Sequence, residues 1–189
     1  MRAALAALMP SRLQSLHNRH HGETVVLVAN GPSLNRMDLS PLRRENVIGM
    51  NKIFLGFKRF RFYPRYYVAV NAKVIEQSAE QIKALNCVKF ISKRRGDLVP
   101  EDGLTYHLDT KNPPARFCHD ISQGLHEGWT VTYAALQIAY FLGFTRVVII
   151  GMDHDEAADR PCTERPAGRM RELFRPVFIL IFNAEAFGE

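Results

Sequence analysis

Several of the features that would explain a small chain at once are missing from these 189 residues. The cysteines number three, Cys87, Cys118 and Cys162, widely spaced and without a CxxC pair. That excludes a disulfide framework or a cysteine-based zinc site as the organising device and fits a reducing cytoplasm. No stretch reaches the roughly 20 consecutive apolar residues of a membrane helix. Neither GxGxxG nor GxxxxGK[ST] occurs, so the two commonest glycine-rich phosphate fingerprints are absent. What remains is a chain of single-domain length, 47% hydrophobic, with enough apolar residues for a real core.

The N-terminus starts like a short secretion signal, with Met1-Arg2 before Ala3-Ala4-Leu5-Ala6-Ala7-Leu8-Met9. Pro10 and Arg12 interrupt it, and no small-residue cleavage site follows, so residues 1–22 are read as a basic leader beginning with a short helix. The net charge of +6 favours an anionic ligand or an acidic surface. The basic residues fall in small groups, such as Arg43-Arg44, Lys58-Arg59-Phe60-Arg61 and Lys93-Arg94-Arg95, and not in the long stripe of a nucleic-acid reader. No nucleic-acid partner is expected, while peripheral contact with a membrane stays open.

What the sequence does have is a repeated strand ending. Val25-Val26-Leu27-Val28-Ala29 stops at Asn30, Val47-Ile48-Gly49-Met50 at Asn51, Tyr67-Val68-Ala69-Val70 at Asn71, and Val147-Val148-Ile149-Ile150-Gly151-Met152 at Asp153. In an open parallel sheet all carboxyl ends face one crevice, so polar residues at four of them can meet one ligand. Asn and Asp also favour turns after strands for local reasons, which accounts for any one of them but poorly for four in step.

The pattern predicts an α/β, Rossmann-like, mostly parallel sheet with helices on both faces. Its domain covers 23–156, with strands Thr24–Ala29, Val47–Met50, Tyr66–Val70, Val88–Ser92 and Arg146–Ile150. A short helix is expected over 38–43, started by Asp38 or Ser40, and a longer one over Lys73–Leu85. Lys52 to Tyr63 is aromatic and basic, with Pro64 opposing a continued helix. Residues 93–128, broken by Gly96, Pro100, Gly103, Pro113, Pro114 and Gly124, read as a long irregular insertion carrying a short strand at 105–108. Val131, Ala134, Ala135, Ile138, Ala139 and Leu142 then form one helical stripe, closed by Gly143. The tail, 157–189, departs from this pattern and reads as divergent or truncated.

Three segments carry chemistry. Asn30-Gly31-Pro32-Ser33-Leu34 occupies the first strand-to-helix turn. There Gly31 is expected to supply an unusual backbone conformation, and backbone N–H groups with the Ser33 hydroxyl can meet a phosphate. Thr130 and Thr132, at the start of the striped helix, suit phosphate or carboxylate binding, with plain helix capping by Thr130 as the alternative. Gly151-Met152-Asp153-His154-Asp155 offers a base with an orienting carboxylate, or Asp153 and Asp155 as ligands of a divalent cation.

Taken in order, Asn30-Gly31-Pro32-Ser33-Leu34, Gly49-Met50-Asn51, Asn71 before Val74-Ile75-Glu76-Gln77, Thr130-Val131-Thr132-Tyr133, Leu142-Gly143-Phe144 and Gly151-Met152-Asp153-His154 resemble the 6-hydroxymethylpterin diphosphokinase MptE-like family. The same order is similar to that of bacterial CMP-sialic acid-dependent sialyltransferases. That resemblance implies that Asn30, Gly31, Pro32 and Ser33 line the nucleotide phosphate and sugar, that Asn51 and Asn71 contact the nucleotide, and that Thr130 and Thr132 sit by the donor phosphate. It places Asp153 at the same crevice. It departs at the catalytic histidine, which in those transferases lies well beyond the strand ending at Asp153.

The expectation is a nucleotide-dependent transferase, foremost a glycosyltransferase with a CMP-activated sugar donor, a glycan or small-molecule acceptor and no required cofactor. Its catalytic pair would be His154 and Asp153, with His126 and His119 as lesser candidates for the base. The alternatives are a diphosphokinase using ATP and Mg²⁺ held by Asp153 and Asp155, and a truncated nucleotide-binding module without catalysis.

Overall fold

The computed structural model describes residues 11–111, 116–153 and 181–183. The strands are β1 (Thr24–Val28), β2 (Asn46–Met50), β3 (Tyr66–Ala69), β4 (Val88–Ser92), β5 (Thr105–Leu108), β6 (Thr110–Lys111), β7 (Leu125–His126), β8 (Arg146–Ile150) and β9 (Ile181–Asn183). The α-helices are α1 (Phe57–Phe60), α2 (Ala72–Lys83) and α3 (Val131–Phe141). Short 3-10 turns link several of them. A seven-stranded sheet has the order β5-β4-β3-β2-β1-β8-β9, with β6 and β7 forming a separate small ladder. β1 to β5 and β8 are mutually parallel, and β9 pairs antiparallel with β8.

The alternation of side chains along each strand feeds two cores. Val25, Leu27, Ile48, Tyr66, Val68, Phe90, Val147 and Ile149 face α3, which contributes Ala134, Ala135, Ile138 and Phe141. Val26, Val28, Val47, Tyr67, Ile91, Val148 and Ile150 face the opposite way, against Ile75 and Ile82 of α2 and Leu34, Leu39 and Leu42 of the turns after β1. Strands buried on both faces need apolar residues at consecutive positions, which is why they read as unbroken runs. Each fully buried aliphatic side chain contributes about 1.5–3 kcal/mol.

Three expectations change. Residues 93–128 supply β5, the edge strand of the main sheet, and both strands of the small ladder, so they are woven into the domain and are not merely inserted in it. The 38–43 helix is a 3-10 turn over Ser40–Arg44. Residues 52–60 do become helical, as a 3-10 turn from Ile53 to Gly56 running into α1, which Arg61 ends in a left-handed conformation at φ 56°. Of the leader, residues 1–10 lie outside the described residues, and the rest packs onto the domain. Leu16 is buried, and His20 stacks on Phe144 while hydrogen-bonding the Tyr66 hydroxyl at 2.7 Å. Of the tail, β9 joins the sheet edge beside β8.

The topology fixes where a ligand can bind. From β1 the chain steps outward through β2, β3, β4 and β5, then returns through α3 to β8 on the other side of β1. The order reverses between β1 and β8, and the carboxyl ends of the strands at such a switch point open a crevice.

Candidate functional site

At the switch point the turn after β1 is tied to the end of β8. The Gly31 N–H donates to the Gly151 carbonyl at 2.7 Å, and the Ser33 N–H donates to Asp153 Oδ2 at 2.6 Å. The Ser33 amide expected to face a phosphate is therefore committed to a carboxylate of the chain itself. Gly31 is needed for a different reason from the one expected. Its φ of −70° is open to any residue, but a Cβ there would stand 2.4 Å from Asp153 Oδ2 and 2.5 Å from the Gly151 carbonyl oxygen. Space, not backbone freedom, demands glycine. Pro32 opens the 3-10 turn Pro32–Arg36, where its missing N–H costs nothing.

The β2 end is held as firmly. Asn30 Nδ2 donates to the Met50 carbonyl at 3.1 Å, joining the β1 and β2 ends. Asn51 adopts the left-handed region at φ 49°, with its N–H on the Val68 carbonyl and its own carbonyl accepting the Tyr67 hydroxyl at 2.6 Å. Burial drives the Tyr67 hydroxyl far above its ordinary pKa, so it stays a neutral donor. Two polar atoms of this rim, Asn51 Oδ1 and Ser33 Oγ, are buried without a hydrogen-bond partner among the described residues. Native proteins rarely leave such atoms unpaired, and a binding site is one place where they do.

Asn71 and Thr130 lie at the same edge but spend their side-chain oxygens locally. Asn71 Oδ1 caps α2 by accepting from Lys73 N and Val74 N, and Thr130 Oγ1 caps α3 by accepting from Tyr133 N at 3.1 Å. Thr132 is half-buried in the first turn of α3. His154 and Asp155 lie outside the described residues, so neither the catalytic pairing nor the two-carboxylate cation site acquires a geometry. Among the described residues no three metal-ligating side chains come together. His126 Nδ1 is buried and unpaired among the described residues, while the His119 ring packs against Tyr140 and Phe117.

Beside the β1 and β2 ends runs a cleft of about 510 Å³, lined among others by Asn30, Gly31, Lys52, Leu55, Arg59 and Phe60. Among the described residues no carboxylate lines it, and Lys52 and Arg59 supply positive charge. Lys52 Nζ reaches Gln77 Oε1 on α2 at 2.8 Å, and Arg59 leans on the Asn35 carbonyl at 3.4 Å. In the sequence Arg59 stands out only as a member of one small basic group. Lys52 had one legible signal, its place directly after the strand-ending Asn51. Of the aromatics interleaved with these bases, Phe62 is buried and Phe60 stacks on it, while Tyr63 stays 45% exposed with its hydroxyl accepting the Asn86 N–H at 2.7 Å.

Comparison with known proteins bears on this arrangement. No protein-family model matches the chain, so the MptE-like resemblance rests on its motifs. The chain is 24% identical over 211 residues to the "Probable 3-deoxy-manno-octulosonic acid transferase" of Escherichia coli (strain K12), an alignment covering 89% of this chain and 75% of that protein. It is likewise 24% identical over 201 residues to the protein of that name from Salmonella typhimurium, covering 84% and 75%. The "Structure of MAf glycosyltransferase from Magnetospirillum magneticum AMB-1" superposes with a TM-score of 0.52 at 18% identity, over 82% of this chain and 28% of that one. The chain spans under a third of that structure, and what the two share is the fold. Crevice, sheet order and relatives agree that this is a glycosyltransferase-like α/β fold.

Proposed function

We propose that the protein is a cytoplasmic glycosyltransferase that moves an acidic sugar from a CMP-activated donor onto a glycan acceptor. The observation that carries this reading is the cleft at the β1 and β2 ends, which among the described residues is lined by Asn30, Lys52 and Arg59 and by no carboxylate. An acidic sugar on a nucleotide phosphate brings two negative charges, and two cations in a partly enclosed cleft complement them. The relatives named for transfer of 3-deoxy-manno-octulosonic acid support an acidic sugar, and the sialyltransferase-like motif order supports CMP.

In this reading the acceptor hydroxyl oxygen attacks the anomeric carbon as the bond to the CMP phosphate breaks. The electron pair leaves with the phosphate, where Lys52, Arg59 and the Ser33 hydroxyl receive the charge. The acceptor proton passes to a base, which we assign to His154, the residue after Asp153 in sequence. Asp153 holds the turn after β1 through the Ser33 N–H, so it orients the site even where it accepts no proton. The basic exposed segment Lys58, Arg59 and Arg61 suits peripheral contact with an anionic membrane carrying the acceptor.

The test is release of CMP from CMP-3-deoxy-octulosonic acid and CMP-sialic acid, in the presence of EDTA and an acceptor oligosaccharide. Transfer that survives EDTA supports the reading. Consumption of ATP with hydroxymethylpterin, dependent on Mg²⁺, would replace it with diphosphoryl transfer.

A further inference from the structure

The sole tryptophan of the chain, Trp129, is 79% exposed, the most exposed of the large apolar side chains among the described residues. It sits in the turn 127–130, closed by the Thr130 N–H on the Glu127 carbonyl at 2.9 Å. Both central residues are left-handed, Gly128 at φ 52° and Trp129 at φ 69°. Glycine adopts that region freely, whereas a bulky residue does so against steric strain. A tryptophan that is both exposed and strained contributes little to the fold, and such outliers cluster at ligand-binding positions.

The turn is also held rigidly. Arg94 forms an ion pair with Glu127, and the Glu127 N–H donates to the Lys111 carbonyl at 3.0 Å. Gly128 lies so close to the Tyr133 ring that a Cβ there would stand 2.3 Å from it. Behind the turn the fully buried Gln137 amide accepts from Cys118 N and His126 N and donates to the His126 and Tyr133 carbonyls. The indole is thus presented on a braced support and does not dangle from a loose loop.

Its location follows from the topology. α3 ends at Phe141, and Gly143 leads to β8 at the amino edge of the sheet. Eleven helical residues span about 16 Å, roughly the length of a five-residue strand. The start of α3, and Trp129 just before it, therefore stand at the carboxyl edge. α3 belongs to the core opposite the one that holds Leu34 and Ile53, which flank the Lys52 and Arg59 cleft. The indole and the cationic cleft thus stand at the same carboxyl edge, on opposite faces of the sheet.

We infer that Trp129 is the platform on which the acceptor saccharide stacks. A pyranose ring presents a face of C–H groups, weakly positive and apolar, which complements the electron-rich face of an indole. Its hydroxyls remain free for polar partners at the rim. This rests on the glycosyltransferase reading for the identity of the saccharide as acceptor, but the binding it describes can be measured without turnover.

The experiment uses the intact protein and two readouts. Being the sole tryptophan, Trp129 reports through its own fluorescence. Saturation-transfer difference NMR then follows a panel of methyl galactoside, methyl glucoside, lactose and free 3-deoxy-octulosonic acid, with CMP as the control. The expected result is a saturable blue shift and intensity change with at least one saccharide, lost at least tenfold in Trp129→Ala, retained in part in Trp129→Phe, and CMP binding equal in all three. If CMP binds and no saccharide of the panel perturbs the indole or loses affinity in Trp129→Ala, the platform is refuted while the transferase reading stands. If CMP perturbs the indole and no saccharide does, Trp129 belongs to the base and the inference is overturned. If a saccharide stacks but neither CMP nor another nucleotide binds, the platform stands and the transferase reading falls.

Discussion

Asp153 Oδ2 accepts the backbone N–H of Ser33 at 2.6 Å, across 120 positions of sequence. This bond and the neighbouring one between Gly31 N and the Gly151 carbonyl clamp the first strand-to-helix turn onto the end of β8. The clamp aligns two strand ends that the switch point leaves adjacent, and it leaves the Ser33 hydroxyl buried and without a partner among the described residues.

Gly31 should tolerate no side chain. Gly31→Ala drives a Cβ against both Asp153 and a backbone carbonyl that cannot rotate away. Overpacking of this kind costs about 1–3 kcal/mol. Thermal unfolding should show a Tm lower by roughly 2–4 °C per kcal/mol. Adding Asp153→Ala should recover only part of the loss, because the Gly151 carbonyl remains, and the pair should be non-additive.

Ser33→Ala should separate stability from binding. A buried hydroxyl without a partner is a desolvation penalty, so removing it should leave Tm unchanged or raise stability by up to about 1 kcal/mol. CMP affinity, measured by calorimetry, should fall about tenfold, equivalent to about 1.4 kcal/mol. A large loss of stability with unchanged affinity would make the hydroxyl structural.

Lys52→Ala and Arg59→Ala should each weaken CMP about three- to tenfold and flatten the dependence of its affinity on salt. Neither residue is part of either core, so unfolding temperatures should move little. The distinguishing control is cytidine, which lacks the phosphate and should bind all three proteins alike.

Trp129→Gly should reveal a conflict between stability and function. Glycine relieves the left-handed strain at φ 69°, a gain of about 1 kcal/mol before its own entropic cost, so Tm should hold or rise. Saccharide binding should vanish in the same variant. A fall in Tm instead would mean that the indole packs against the fold.

Much of this was legible in the sequence, and the reasons for the misses are physical. β4 and β8 match the expected bounds residue for residue, and α3 lies within one residue of its stripe, because burial on both sides forces unbroken apolar runs and a regular helical period. Residues 93–128 misled because their Gly and Pro punctuation marks turns between very short strands, and a two-residue ladder such as β6 with β7 carries no period to detect. Within the site, Asn30, Ser33, Asn51 and Asp153 do gather at the β1, β2 and β8 ends. Asn71 and Thr130 serve as the helix caps that local chemistry alone predicts. Arg59 was hidden because the cleft it lines with Lys52 is built by the turn Ile53–Gly56 and α1, which no strand-end pattern announces, and Lys52 was marked only by its place after Asn51.

The central claim, a CMP-dependent site at the carboxyl ends of β1 and β2, is tested most directly by a thermal-shift panel of CMP, CDP, UDP, ADP and ATP with and without Mg²⁺. A ligand at 100 times its Kd stabilises the folded state by about 2.7 kcal/mol, which for a domain of this size raises Tm by roughly 5–10 °C. The account predicts that rise with CMP, undiminished by EDTA and reduced in Lys52→Ala. Stabilisation by ATP alone, and only with Mg²⁺, would contradict it.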